Sequence, residues 1–475
     1  MNDKIPLQDV DQTDSAVKHA ETEEFNLYEK REKIYTRKIS GFYQKVRLYT
    51  GWPLLLGYFL LPWINWDGRQ SVFFDLPNRQ FHIVELTFWP KDFILLAATL
   101  IISAFALFFV TTWLGRVWCG YTCPQTVWTS IFMWAEQVAE GSRNQRIKMD
   151  KSPWSVNKIL RKTLKHSMWL GFALLTGLTF VGYFSPIREL LPNMLTFNLG
   201  PWEAFWIFFF TFATYGNAGW LREQVCKYMC PYARFQSAMF DRDTLIVSYD
   251  PERGESRGAR KKEADYKAEG LGDCIDCQMC VQVCPVGIDI RDGLQYECIN
   301  CALCIDACNE VMDKMEYPRG LIRYTTENKL EHKTEHKLRP KLIGYGAVLV
   351  IMIGVFAATI LNRATLELDI IRDRSTLYNT TLDGLIENSY TLKVLNKSQE
   401  NQTYLISVSG IDGLELKGDT RLDVASGELI EVTLRAQIDP VHMPQTNMPI
   451  EFKVNTLDES AEVSEESRFI GPAVR

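Results

Sequence analysis

The chain has 475 residues, 47% of them hydrophobic and 12% aromatic, with a formal net charge of −6 at pH 7. That length allows about two to four domains, and the acidic balance carries no nucleic-acid signal. The 12 cysteines all fall between Cys119 and Cys308, which is not how a secreted disulfide scaffold distributes them.

Residues 1–47 hold nine Lys and Arg and no apolar core. No cleavable signal peptide is therefore expected, and this stretch reads as a cytoplasmic segment. Four segments then approach the roughly 20 apolar residues a bilayer crossing needs, at 48–66, 93–114, 167–184 and 201–220, and a fifth follows at 342–361. Many Trp flank these blocks, as interface aromatics do. Residues 126–139 are apolar but short and contain Glu136, so they are expected to lie in the membrane interface as an amphipathic helix.

Lys and Arg alternate between the connections: nine in 1–47, three in 67–92, nine in 114–165, and Arg188 alone in 185–200. The excess marks the inner side. The expected organisation is a transmembrane domain with four spans over 48–235, a cytoplasmic domain over 236–340, a fifth transmembrane helix over 341–362 and a periplasmic domain over 363–475. In the last of these, short alternating runs such as YTLKVLN (390–396), QTYLISVSG (402–410), LIEVTLRAQI (429–438) and IEFKVNTL (450–457) are separated by turn residues. Period-two runs at that spacing predict a β-sandwich.

The strongest local signal is Cys274-x2-Cys277-x2-Cys280-x3-Cys284-Pro285, followed by Cys298-x2-Cys301-x2-Cys304-x3-Cys308. This is the spacing of a bacterial two-cluster ferredoxin, in which three close thiolates hold one cubane and the fourth crosses to the other. One [4Fe–4S] cluster is assigned to Cys274, Cys277, Cys280 and Cys308. The other is assigned to Cys298, Cys301, Cys304 and Cys284. Asn309 replaces the second proline without removing a ligand. A zinc ribbon needs only two CxxC pairs and leaves half of these cysteines unused.

The other four cysteines repeat one motif, Cys119-Gly-Tyr-Thr-Cys123-Pro124 and Cys226-Lys-Tyr-Met-Cys230-Pro231, each just after the end of a predicted span. Cysteines four apart share a helical face, and the proline places a helix boundary after them. The two pairs are candidates for one tetrathiolate redox or metal site, and soft thiolates favour Cu(I), zinc or iron–sulfur iron. Met229 adds a thioether within the second motif. Four buried free thiols acting as small apolar residues are the plainer alternative. Arg116, Arg222 and Lys227 stand near these motifs, as positive-inside anchors or as groups that lower thiol pKa. None of the six His lies deep in an apolar segment, which disfavours a membrane haem. His442, Met443 and Met448 read as a loop with hydrophobic Met rather than a copper site.

The segments WCGYTCPQTVW, CKYMCPYARFQ, GDCIDCQMCVQVCPVGIDIR and ECINCALCIDAC, together with FDLPNRQFHIVELTFWP, closely resemble the cytochrome c oxidase accessory protein family CcoG, also called FixG or RdxA. The resemblance covers nearly the whole chain beyond the first ~30 residues. It implies a multi-domain bacterial inner-membrane protein: an α-helical bundle of about five spans, a cytoplasmic two-cluster ferredoxin-like α+β domain, and a periplasmic immunoglobulin-like β-sandwich. It further implies a cupric reductase that turns Cu(II) into Cu(I) for assembly of cbb3-type oxidase, with copper as substrate or transient ligand at Cys119, Cys123, Cys226 and Cys230. A cytoplasmic electron donor, copper-handling proteins, oxidase subunits and membrane lipid are the expected partners, with no nucleic acid, and a homodimer stays open. A quinol-linked polyferredoxin carrier and a non-enzymatic assembly scaffold are the alternatives.

Overall fold

The computed structural model describes residues 33–472 apart from 67, 337, 399, 444 and 458–460. The helix Phe93–Leu114 is apolar on every face, with no charged residue along it. A helix of that kind needs a non-aqueous surrounding on all sides. Pro340–Leu361 packs alongside it, and both leave large apolar side chains such as Ile94, Leu100, Val350 and Ile351 exposed. Among the described residues, these two helices are long and apolar enough to cross a membrane.

A second group of helices packs more closely. Val156–Val181 lies against Pro201–Thr214 and against Pro124–Glu140. Gly177 permits the first approach, since a Cβ there would stand 2.7 Å from the Ile207 carbonyl oxygen; small residues at such crossings let helix backbones meet. Residues expected as continuous spans are punctuated differently. The first helix is Phe42–Leu60, starting ahead of position 48. The fourth segment is α-helical only over Pro201–Thr214 and then widens into π-helical turns over Tyr215–Leu221.

Pro124–Glu140, expected in the membrane interface, packs one face into the helical part. Phe132, Ala135, Glu136 and Ala139 are all buried. The Glu136 carboxylate is paired twice, with Arg146 Nη1 at 2.9 Å and Arg222 Nη2 at 2.6 Å. One turn on, Glu140 is held by Lys162 at 2.9 Å and Lys165 at 3.0 Å. Buried carboxylates are tolerated when opposite charges are supplied in this way.

The cysteine-rich domain is closed by an antiparallel pair, Ile246–Tyr249 with Ile322–Thr325, in register from Ile246↔Thr325 to Tyr249↔Ile322. Between them come the helices Met279–Val283 and Leu303–Met315. Residues 33–40 lie along this domain: Arg37 N–H donates to the Gln282 carbonyl at 2.8 Å, and Ile39 is buried beside Val283 and Cys284. The strap ends where Asp306 accepts from the Tyr43 and Gln44 amides at 3.2 and 2.8 Å. A carboxylate on free amides at a helix amino end satisfies orphan donors and complements the helix dipole.

The C-terminal region is a sandwich of two antiparallel sheets. One runs Glu415–Lys417, Leu429–Ile438, Ile386–Asn396, Leu366–Arg372, with Asn379–Thr380 on its side; the other runs Arg421–Val424, Gln402–Ser409, Asn447–Thr456, Glu462–Ile470. Their alternating inward residues, among them Tyr390, Leu392, Val394, Leu434 and Phe452, form one core as face-to-face sheets require. Met443 and Met448 belong to that core, so this segment presents no methionine pair to a copper ion.

Candidate functional site

The two CxxCxxC loops of the cysteine-rich domain are built alike. Asp276 and Gln278 in the first have φ of 50° and 55°, and Asn300 and Ala302 at the matching positions of the second have φ of 52° and 58°. Non-glycine residues adopt the left-handed region rarely. Its recurrence at the same two steps of both loops means each backbone winds round a centre. Those centres are two small cavities of about 20 Å³ each.

Cys274, Cys277, Cys280 and Cys308 line the first cavity, and Cys298, Cys301, Cys304 and Cys284 line the second. The fourth cysteine of each run thus faces the cavity of the other run. Cys280 lines both, so the two centres share a wall. The rest of the lining is largely apolar, with Ile275, Val311 and Leu321 in one and Val286, Ile288 and Ile290 in the other. Burial pushes the Cys280, Cys298 and Cys308 thiols up to about 12 and Cys284 up to about 11. Thiolates here require compensating positive charge, which bound iron supplies. Among the described residues, no three or more His, Cys, Asp or Glu form a group that could hold a metal ion. A cubane differs from a single ion in that each thiolate meets a different iron, so its donors stand apart around a cavity. The residues present fit that group.

The two CxxxCP motifs lie directly beside this domain. Cys119 is in the short helix Val117–Tyr121, and Cys123 caps Pro124–Glu140; Cys226 is in π-helical turns over Val225–Met229, and Cys230 caps Pro231–Met239. Local π-helix is uncommon and concentrates at functional sites. Cys119 Sγ lies 3.5 Å from Gln236 Oε1, and Tyr232 and Thr111 hydroxyls meet at 2.6 Å. Gln125 Nε2 donates to the Asn217 and Arg222 carbonyls at 2.9 and 3.3 Å. These bonds hold the first motif against the second. Burial raises the Cys226 thiol to about 12, and the Cys123, Cys119 and Cys230 thiols push in the same direction. None of the twelve cysteines is cross-linked.

Gly120 joins the motif to the second cluster cavity. A Cβ on it would stand 2.6 Å from the Ile299 carbonyl oxygen and 2.9 Å from Cys301 Cα. Cys119 is packed in the same buried group as Cys284, Ile299 and Cys301. Sequence reasoning missed the Tyr121 and Tyr324 roles at this junction. Tyr121 and Tyr324 hydroxyls meet at 3.1 Å, and Tyr324 donates to the Asn300 carbonyl at 2.5 Å. Buried Arg116 donates to the Tyr296 carbonyl and draws the Cys119 thiol down against the larger effect of burial. Arg222, read as an anchor or as a group that lowers thiol pKa, pairs with Glu136. Only Arg116 had a sequence signal, its place just before Cys119.

Known proteins carry the same parts. A family model described as a 4Fe-4S dicluster domain matches residues 221–327, one described as a 4Fe-4S binding domain matches 96–136, and one described as an IG-like fold at the C-terminal of FixG matches 356–472. The chain is 35% identical over 452 residues to the nitrogen fixation protein FixG of Rhizobium meliloti, covering 87% of this chain and 86% of that one. It is 39% identical to protein RdxA of Cereibacter sphaeroides, covering 84% of this chain and 87% of that one. A crystal structure of a FixG-related protein from Vibrio parahaemolyticus aligns at 30% identity and a TM-score of 0.21, covering 22% of this chain and 95% of that one.

Proposed function

The chain belongs to the FixG family of iron–sulfur electron-transfer proteins, and from that premise we propose that it is a membrane-bound cupric reductase supporting assembly of a cbb3-type oxidase. The eight cysteines of the dicluster region hold two [4Fe–4S] clusters in the crossed sets given above. A cytoplasmic donor supplies electrons one at a time, and the Cys298-side cluster passes them towards Cys119, Cys123, Cys226 and Cys230. There Cu(II) plus one electron gives Cu(I), the state that soft sulfur surroundings favour. The supporting observation is the Gly120 junction, where the thiol motif touches the backbone of the second cluster loop. In this reading the helical part crosses the inner membrane five times, with the ferredoxin domain cytoplasmic and the sandwich periplasmic. Copper-handling proteins and oxidase subunits meet that outer domain, and the chain works alone or as a homodimer.

Quinol linkage is the second reading, favoured by one cavity. A space of about 570 Å³ lies between Phe42–Leu60 and Pro124–Glu140, lined by Leu55, Phe59 and Phe172, by Arg37 and Gln44, and by Val283 and Leu303 of the ferredoxin domain. Its size and amphipathic lining suit a small ligand with an apolar tail. One experiment separates the two. Anaerobically purified, cluster-reduced protein is mixed with Cu(II) or with a quinone, and cluster absorbance is followed together with trapped Cu(I). Cluster reoxidation in step with Cu(I), slowed at least tenfold in Cys119→Ser and Cys226→Ser, supports the reductase. Clusters that ignore Cu(II) and reoxidise with quinone replace it with the carrier.

A further inference from the structure

We propose that the space between Phe42–Leu60 and Pro124–Glu140 binds one anionic glycerophospholipid, its phosphate held by Arg37, Lys38 and Arg47. This goes beyond the electron-transfer reading and rests only on the helical part lying in a bilayer. The space, about 570 Å³, is lined by those three cations and by no Asp or Glu. Arg47 Nε donates to the Gly120 carbonyl at 3.0 Å. Among the described residues, none of the three cations is paired with a carboxylate. Cations elsewhere in the helical part come with their counter-charge: Arg146 and Arg222 on Glu136, Lys162 and Lys165 on Glu140. Like charges gathered on one cavity repel one another, and an anion placed among them relieves that.

The rest of the lining changes character along the first helix. Gln44 and Arg47 come in its first two turns, and Trp52, Leu55, Leu56 and Phe59 follow. At the rise of a helix, Arg47 and Phe59 stand about 18 Å apart along the axis. Trp52, Leu56 and Trp134 line the cavity and are each half exposed or more, so protein alone does not cover its apolar part. Acyl chains of a bilayer do. The cations belong to the Lys- and Arg-rich first 47 residues, which mark the inner side, and basic pockets between membrane helices on that side hold lipid headgroups. Charge separates this occupant from a quinone, whose neutral head leaves the three cations unanswered. Inorganic phosphate answers them and leaves the apolar lining bare.

Val283 and Pro285, on either side of Cys284, line the same space, as does Leu303. A lipid bound there touches the 33–40 strap, the first helix and a cluster-bearing loop together. It fastens the ferredoxin domain to the helices.

The test uses full-length, cluster-loaded protein stripped of lipid in neutral detergent. Dioleoyl phosphatidylglycerol or dioleoyl phosphatidylcholine is returned to it, and lipid retained per chain is read by native mass spectrometry. The expected result is one phosphatidylglycerol, held at least roughly tenfold more tightly than phosphatidylcholine. In the double variant Arg37→Gln with Lys38→Gln, that preference falls by about tenfold, with cluster absorbance unchanged. Equal retention of the two lipids overturns the proposal, as does a preference that the double variant leaves intact. Displacement of phosphatidylglycerol by an equal concentration of decylubiquinone overturns it in favour of a quinone, and displacement by glycerol phosphate in favour of a free anion. The parent preference does not depend on the variant folding. Copper is absent throughout, so this outcome and that of the reductase reading are separate.

Discussion

Gly120 has no room for a side chain, and the reason is not local. Its helix tolerates alanine conformationally, but the added Cβ runs into the Ile299 carbonyl and Cys301 Cα. Backbone cannot move aside as a flexible side chain can, so Gly120→Ala is expected to cost about 1–3 kcal/mol as overpacking. It also separates the thiol motif from the second cluster loop. The expected outcome is retained cluster spectra with slower cluster reoxidation by Cu(II), measured by stopped flow; an unchanged rate would remove this junction from the electron path. The cluster cysteines themselves were legible from spacing, including the exchange of Cys284 and Cys308 between cavities. Gly120 was not, because within its own motif it looks like any small residue. Arg222 shows the same limit: its proximity to Cys226 is visible in sequence, and its pairing with Glu136 is not.

At the scale of elements, periodicity succeeded where a helix or strand answers only to its own pattern. Phe93–Leu114 has the predicted limits because an all-apolar run bounded by Asp92 and Gly115 leaves no alternative. The strands Ile386–Asn396 and Leu429–Ile438 follow their period-two runs. For Pro124–Glu140 the same reasoning could not see that Glu136 is buried, because the two arginines that pair with it come from other elements. The Phe42–Leu60 helix also depends on a remote partner, for its first free amides are met by Asp306. Asp306→Ala is expected to destabilise that helix end by about 1 kcal/mol. Hydrogen exchange checks it: the Tyr43 and Gln44 amides should exchange roughly fivefold faster, the equivalent of that energy, while Asp306→Asn keeps most of the protection.

At the scale of the whole molecule, the sandwich end of the chain meets the helical part around Asp92. Arg363 pairs with Asp92 and donates to the Thr87 carbonyl at 2.9 Å, and Lys397 reaches Asp92 at 3.4 Å. Its core is its own, with Leu392 and Val394 fully enclosed by residues of the two sheets. Leu392→Ala is therefore expected to lower the stability of this domain by about 2–5 kcal/mol. Calorimetry of the full chain should show one transition moving down by several degrees, with cluster absorbance and its thermal loss unchanged. Movement of both together would mean that the domains unfold as one unit.

The Asp306 contact also orders events in time. Tyr43 and its acceptor are separated by 263 positions, and synthesis proceeds from the amino end, with early segments free to fold first. The first helix therefore leaves the ribosome with its amino end open and waits for the Leu303–Met315 helix to be wound. Cys304 and Cys308 lie on that later helix, and both face the cluster cavities. The first helix is thus completed at its amino end only by a segment made 263 residues later.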